Sequence, residues 1–111
     1  MSARTSLLAA VLLSACASAR VSESDPNMNA IAESYVKLVL AVGRQHANYV
    51  HAYYGPPAWK TSADSAKLSL DEILRRADAA IAELGPTRAG EDLPALRNRY
   101  LRTQLSALRA R

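Results

Sequence analysis

Cysteine is nearly absent from the sequence: Cys16 is the only one among 111 residues. A lone cysteine has no partner within the chain, which excludes an intramolecular disulfide bond. Long hydrophobic runs are missing too. The wholly apolar run from Leu7 to Leu13 is far shorter than the about 20 residues that a membrane-spanning helix needs. The sequence therefore predicts no permanent transmembrane helix there.

Residues that bind metals are also scarce. The only histidines, His46 and His51, would lie about 140° apart on a continuous helix. The HExxH pattern of zinc peptidases, which puts both histidines on one helix face, is absent. His46 shares an apolar helix face with Tyr35 and Tyr49 and is predicted to lie in the core, whereas His51 projects to the polar side. We therefore predict no metal site and no cofactor in this chain.

Catalytic motifs are missing as well. The chain has four glycines and no glycine-rich phosphate-binding loop, and its serines have no acid–base partner at a recognisable spacing. The acidic pairs Asp71–Glu72 and Glu91–Asp92 stand where helices are predicted to begin, a position that favours carboxylates. We expect no enzymatic activity from this chain by itself.

The first residues have the layout of a secretory signal peptide, predicted over 1–15. Arg4 and the amino terminus are positive, the apolar core comes next, and small residues complete the segment. Its end, Leu13-Ser14-Ala15-Cys16, resembles the bacterial lipoprotein signal. That resemblance implies that Cys16 is lipidated and becomes the first residue of the mature protein. The alternative is an ordinary signal peptide, cleaved within the alanine-rich run that spans residues 15–19.

A lipidated Cys16 implies a location at a membrane. Each buried methylene adds about 0.8 kcal/mol of membrane affinity, so two or three acyl chains make a stable anchor. The protein is expected to be exported and held in the cell envelope. Ala17 stands where an aspartate would suggest retention at the inner membrane, which favours the outer membrane if the source has one. Residues 16–25 are expected to tether the lipid to a domain at 26–111.

The charge balance is mildly basic. The formal net charge is +4, and removing residues 1–15 takes away one of the 14 basic residues and none of the 10 acidic ones. This excess does not require nucleic acid, and export argues against that partner. Five arginines come after the last acidic residue, Asp92: Arg97, Arg99, Arg102, Arg109 and Arg111. They either attract anionic lipid headgroups or form a helix face that is solvated or neutralised by a neighbouring segment, which we favour.

No segment alternates apolar and polar residues with the period of a strand, so we predict an all-α fold with about three helices, at 26–54, 69–84 and 93–111. The first runs from Pro26 to about Gly43 and, after a break, on to Tyr54. Gly55-Pro56-Pro57 stops it, and residues 60–67 are predicted to be a polar linker.

The predicted helix starts carry capping residues. Asp25 precedes Pro26 at the first helix, and Ser69 forms a capping box with Glu72 at the second. Asp92 opens the third helix. The second helix is predicted to end at the Gly85-Pro86 pair.

Apolar residues cover about half the circumference of the first and third helices, and about a third of the second. A self-contained domain of three such helices would leave a sizeable apolar surface exposed, which soluble monomers rarely tolerate. This surface has two explanations. Either the chain is the N-terminal piece of a longer helical protein, which we prefer, or it pairs with another chain by self-association.

Five of the six aromatic residues fall between Tyr35 and Trp59. Tyr49, Tyr53, Tyr54 and Trp59 surround the Gly55-Pro56-Pro57 corner. They either line a groove for sugar rings or a peptide, or pack a helix end onto the body of the domain with their polar tips in water. We favour packing.

The segment Tyr49-Val50-x-Ala52-Tyr53-Tyr54-Gly55-Pro56-Pro57-x-Trp59 resembles the N-terminal region of a group of uncharacterised exported bacterial proteins. The later segment Tyr100-Leu101-x-x-Gln104-Leu105-x-Ala107-Leu108 is similar to the next region of those proteins, so the resemblance covers most of residues 30–111. It implies a largely helical protein several times longer, with a zinc-peptidase motif of the HExxH type far downstream. It also implies that the tyrosine-rich corner borders the cleft of that domain. This sequence contains none of the zinc ligands nor the catalytic glutamate, so no catalytic role carries over to any residue here.

Overall fold

The computed structural model describes residues 25–111, and all of the regular structure within them is helical. The four helices are α1 (Pro26–Gln45), α2 (Pro57–Ala66), α3 (Leu70–Leu84) and α4 (Leu93–Arg109). The all-α prediction is confirmed, with four helices where about three were predicted. The predicted signal peptide at 1–15, the lipidated Cys16 and all of the tether before Asp25 lie outside the described residues.

The additional helix is α2, which occupies most of the stretch predicted to be a linker. The Pro56–Pro57 pair does separate it from the preceding chain, but Pro57 is also the first residue of α2, where a missing N–H costs nothing. Only Ala63 of α2 is buried, so the helix has no wide apolar stripe for periodicity to detect. Its local signal is polar: Lys60 and Asp64, four residues apart, are joined by an Nζ–Oδ2 distance of 2.7 Å.

The first helix ends at Gln45 rather than continuing, after a break, to Tyr54. His46 takes an extended backbone conformation, with φ −130° and ψ 95°, and its N–H donates to the carbonyl of Val42. Residues 46–56 form a loop. The helical wheel therefore does not apply beyond Gln45, and His46 is exposed rather than in the predicted core position.

The helix starts carry the predicted capping residues, although the Glu72 carboxylate accepts from Arg75 and Arg76 and so does not complete the capping box predicted with Ser69. Asp25, Ser69 and Asp92 each accept a hydrogen bond from a backbone N–H of the first turn, at donor–acceptor distances of 3.0, 3.2 and 2.9 Å. Each bond satisfies a donor that the first turn of a helix leaves without a partner. Gly85 ends α3 as predicted, with a φ of 67° in the left-handed region.

The core is arranged around α1. This helix packs against α2, α3 and α4, and α3 and α4 pack against each other. The interior is almost entirely aliphatic, and its main cluster is Met28, Ile31, Leu38, Ala41, Val42, Ile73, Ala77, Ala80, Leu84, Leu101, Leu105 and Leu108. Three neighbouring helices account for the wide apolar face that the sequence shows on α1.

Asn98 is the polar exception in the core of the described residues, with no exposed surface. Its Nδ2 donates to the carbonyl of Leu84 at 3.1 Å, and its Oδ1 accepts from the N–H of Arg88 at 3.2 Å. Leu84 is the last residue of α3, so its carbonyl has no partner within the helix. Asn98 thereby fixes both the end of α3 and the start of the next loop onto α4.

We expect Asn98→Ala to lower the free energy of unfolding by about 1–3 kcal/mol, because it leaves a buried carbonyl and a loop N–H without partners. Urea denaturation monitored by circular dichroism measures the loss. Thr103→Ala on the same helix is the control. Its exposed hydroxyl donates to the carbonyl of Arg99 at 3.0 Å, and its removal should cost no more than about 0.5 kcal/mol. Equal effects of the two substitutions would contradict the role of Asn98.

Candidate functional site

The four aromatic residues of the predicted corner have different surroundings in the structure. Tyr49 is half-buried and packs against the core, and Tyr53 is half-buried in the loop. Tyr54 is 96% exposed. Trp59 is half-buried on α2. The four residues therefore range from Tyr49, packed against the core, to Tyr54, which projects into solvent.

Tyr49 belongs with two other tyrosines at the junction of α1 and α4. The Tyr35 hydroxyl donates to Oε1 of Gln104 on α4 at 3.3 Å. Burial raises the pKa of Tyr35, and the nearby Tyr100 and Tyr49 raise it further. The Arg111 guanidinium lies 5.3 Å from the centre of the Tyr49 ring, within the range of a cation–π contact. This junction ties α4 to α1, and ties Arg111, just after α4, to the loop that carries Tyr49.

An exposed apolar surface lies beside that junction. Leu93, Leu96 and Tyr100 form a row on α4 and are 63%, 43% and 61% exposed; we call these three residues the α4 apolar face. A groove of about 300 Å³ adjoins it, with Ala32 of α1 and Leu101 among its lining residues. The wide apolar stripe predicted for this helix is thus only partly covered within residues 25–111.

The arginines near the end of the chain are mostly engaged within it. Arg109 pairs with Asp78 of α3 at 2.8 Å, and Arg99 donates to the carbonyls of Arg88 and Gly90 at 2.8 and 2.7 Å. Arg97 donates to Asn29 of α1 at 2.9 Å, and Arg111 covers the Tyr49 ring. Arg102 is half-buried, and its Nε has no hydrogen-bond partner. These contacts agree with a helix face that neighbouring segments satisfy.

A cleft of about 340 Å³ opens between α1, α2 and α3. Its floor includes the buried side chains of Ile31, Leu38 and Ala80, and its rim carries Lys37, Arg76 and Glu83.

Both cations on that rim have carboxylate partners on their own helices. Lys37 lies 2.7 Å from Glu33, and Arg76 lies 2.7 Å from Glu72. Hydrogen bonds from Arg75 and Arg76 lower the pKa of Glu72 to about 2. The charges around this cleft are therefore largely balanced, and it shows no preference for a ligand of either sign.

A smaller cleft of about 240 Å³ lies between the end of α1, the 46–56 loop and the start of α2; we call it the basic cleft. Leu40, 3% exposed, is at its base. The absence of a side chain at Gly43 admits Val50, because a Cβ there would lie 2.9 Å from Val50 Cγ2. This close approach brings the loop down onto α1.

Tyr53 forms one wall of the basic cleft. Its hydroxyl donates to the carbonyl of Pro56 at 2.9 Å. Its ring lies against Gly55, where a Cβ would come within 2.5 Å of the Tyr53 hydroxyl oxygen. The Gly-Pro-Pro corner thus fixes the Tyr53 ring in place.

The basic residues that line the basic cleft are Arg44, His51 and Lys60, and the described residues contribute no carboxylate to its lining. Asp64 lies next to two of them. Its carboxylate is 2.7 Å from Nζ of Lys60 and 3.8 Å from Nε of Arg44. Arg44 is in the last turn of α1 and Lys60 in the first turn of α2, so the loop brings together cations that are distant in sequence.

Residues 25–111 contain neither a group of metal-binding side chains nor a helix suited to span a membrane. No three His, Cys, Asp or Glu side chains of this region are grouped so that they could hold a metal ion. His46 and His51 are both exposed. In the same region, none of the helices combines the length and the apolar character that crossing a bilayer requires.

Comparisons with known proteins give no guide to function. No protein-family model, curated protein or solved structure matches this chain. Proposals about function therefore rest on the surfaces of this chain.

The basic cleft was not predicted from the sequence. One side of it is formed by α2, and the sequence signals for α2 were Pro57 as a helix start and the Lys60–Asp64 pair.

Proposed function

We propose that this chain is the lipid-anchored front part of an exported helical envelope protein, with residues 26–111 as the first helices of a larger, metallopeptidase-like domain. In this proposal the chain supplies no catalytic residue and no zinc ligand. The observation that carries it is the α4 apolar face, which is suited to a further helix of the same protein.

The spacing of the α4 apolar face supports a helical occupant. Leu93, Leu96 and Tyr100 recur at steps of three and four, which places them along one side of α4. The small side chain of Ala32 leaves the adjoining groove open to a partner backbone. Covering apolar surface is worth about 25 cal/mol per Å², so a helix with a complementary apolar stripe would be stabilised there.

The groove edge also has the composition of a protein interface. Tyr100 and Arg97 both line it, and tyrosine and arginine are enriched where proteins bind each other. Arg97 is already oriented by its hydrogen bond of 2.9 Å to Asn29. A docking helix would therefore meet an apolar row with an ordered polar edge.

The proposed anchor keeps the domain close to the membrane. Eight residues, 17–24, separate Cys16 from the cap of α1 at Asp25, and a chain of that length spans at most about 29 Å. The helical domain and whatever covers its α4 apolar face would thus work within a short distance of the lipid surface.

The reading frame beyond the codon for Arg111 checks the proposed larger domain. We expect several hundred further codons, amphipathic helical patterns and an HExxH motif. One of the encoded helices should carry an apolar stripe able to cover the α4 apolar face. A stop codon directly after Arg111 would contradict this arrangement.

Labelling with a radioactive fatty acid checks the anchor. We expect label on the full chain and its recovery in the membrane fraction, and we expect Cys16→Ser to abolish both, since only a thiol can carry the lipid. Ser14→Ala is the matched control, because it keeps a small residue before the cysteine and should leave labelling intact. A soluble, unlabelled protein, released after cleavage of an ordinary signal peptide, would contradict the anchor.

A second candidate function rests on the same surface. The chain would then be a small envelope lipoprotein that acts as a structural or interaction module, with the α4 apolar face covered by a second copy. The face suits this because two identical rows of apolar side chains are able to pack on each other across a two-fold axis.

Light scattering of the chain without residues 1–16 tests this second candidate, which predicts a dimer. Leu96→Glu should convert the dimer to a monomer, because it places a carboxylate in the middle of the apolar row. Ser106→Glu is the control: Ser106 is exposed elsewhere on α4, and adding the same charge there should leave the dimer intact. A well-folded monomer of the unsubstituted chain would refute self-association.

A further inference from the structure

We propose that the basic cleft binds a small molecule that carries a singly charged oxyanion, either a carboxylate or a phosphodiester group. The inference rests on Arg44, His51 and Lys60, which line the cleft together with apolar side chains and without a carboxylate from the described residues. It does not depend on what covers the α4 apolar face, since no residue of α4 lines this cleft.

The charges explain why the ligand is an anion and why one negative charge suffices. Arg44 and Lys60 each carry a formal positive charge, and they share the single carboxylate of Asp64, at 3.8 and 2.7 Å. One positive charge of this group is therefore uncompensated. The arginine is the weaker partner of Asp64, so its donors are available to an oxyanion. Guanidinium donors match the geometry of carboxylate and phosphate oxygens.

The uncharged lining indicates where the body of the ligand would lie. Leu40 at the base and Val50 from the loop are apolar. Tyr53 contributes its ring as a wall, since its hydroxyl is already bonded to the Pro56 carbonyl at 2.9 Å. The volume of about 240 Å³ is below the range of about 300–1,000 Å³ that is usual for ligand sites. The ligand is therefore small, with a short apolar body beside its charged group.

The position of the cleft bears on the source of the ligand. The cleft lies at the C-terminal end of α1, whereas the chain leading to Cys16 joins the N-terminal end. The 20 residues of α1 separate these ends by about 30 Å. At this distance from the proposed anchor, the cleft could take its oxyanion from a free small molecule or from a lipid headgroup, since both offer the required chemistry.

The test uses the full chain, purified in an uncharged detergent and labelled for NMR. Sodium acetate and dimethyl phosphate are the probes, and sodium chloride at equal ionic strength is the reference. We expect saturable changes in the side-chain signals of Arg44, His51 and Lys60 with at least one probe and not with chloride. Changes that never saturate, or that chloride reproduces, would overturn the proposal.

Charge-removing variants locate the binding. Arg44→Gln and Lys60→Gln should each weaken binding about tenfold or more, the loss typical of a charged hydrogen bond. Arg88→Gln removes the same charge from an exposed loop position and should leave the affinity unchanged. If Arg44→Gln lowers the helical circular dichroism signal, the test of the site rests on Lys60→Gln. The Lys60 side chain is 49% exposed, so its replacement should leave the fold intact. Equal weakening by Lys60→Gln and Arg88→Gln would show general charge attraction and overturn the site.

Vesicles separate the two sources of the oxyanion. Signals of Arg44, His51 and Lys60 that shift with phosphatidylglycerol vesicles and not with phosphatidylcholine vesicles assign the site to an anionic headgroup. Shifts with the soluble probes alone assign it to a free small molecule. No response to any of these additions would overturn the proposal.

Discussion

The burial of α1 is the constraint on which the rest of the structure depends. About half of its circumference is apolar, and no single neighbouring helix can cover that width. In the structure, α1 touches all three other helices, whereas α2 touches α1 alone among them. The core positions on α1, from Met28 to Val42, thus determine where the other helices lie. The basic cleft and the groove beside the α4 apolar face both have one wall on this helix.

Sequence reasoning succeeded where the physical cause is local or strongly periodic. The caps at Asp25, Ser69 and Asp92 were predictable because a side chain bonds a backbone N–H two or three residues away. The all-α fold was predictable from periodicity that extends over whole helices. By contrast, α2 has one buried residue, Ala63, and its placement depends on contacts with α1 that no local pattern encodes. In addition, α1 ends at Gln45, before Tyr49 and Tyr53, which continue its apparent stripe in the sequence.

The candidate sites likewise include features that the sequence predicts and features that only the structure shows. The excess apolar surface was foreseeable from the width of the stripe on α4, but its exposed part, around Leu96 and Tyr100, is known only from how the helix packs. The tyrosine-rich corner is continuous in sequence, but its contacts are visible only in the structure. The Arg111 guanidinium lies over the Tyr49 ring, and Tyr53 lines the basic cleft. Arg44 and Lys60 belong to different helices, and only the fold brings Arg44 to the carboxylate of Asp64, which Lys60 already contacts along α2.

The two candidate surfaces differ in what they require. Exposing an apolar row to water costs free energy for as long as the row is uncovered. The α4 apolar face is therefore suited to a permanent partner, whether a further helix or a second copy. The basic cleft carries little penalty when empty, since Asp64 partly compensates Lys60 and Arg44 and water solvates the remainder. The proposed ligand would therefore bind there reversibly. The same domain therefore carries one surface suited to assembly and one suited to reversible binding, and both have a wall on α1.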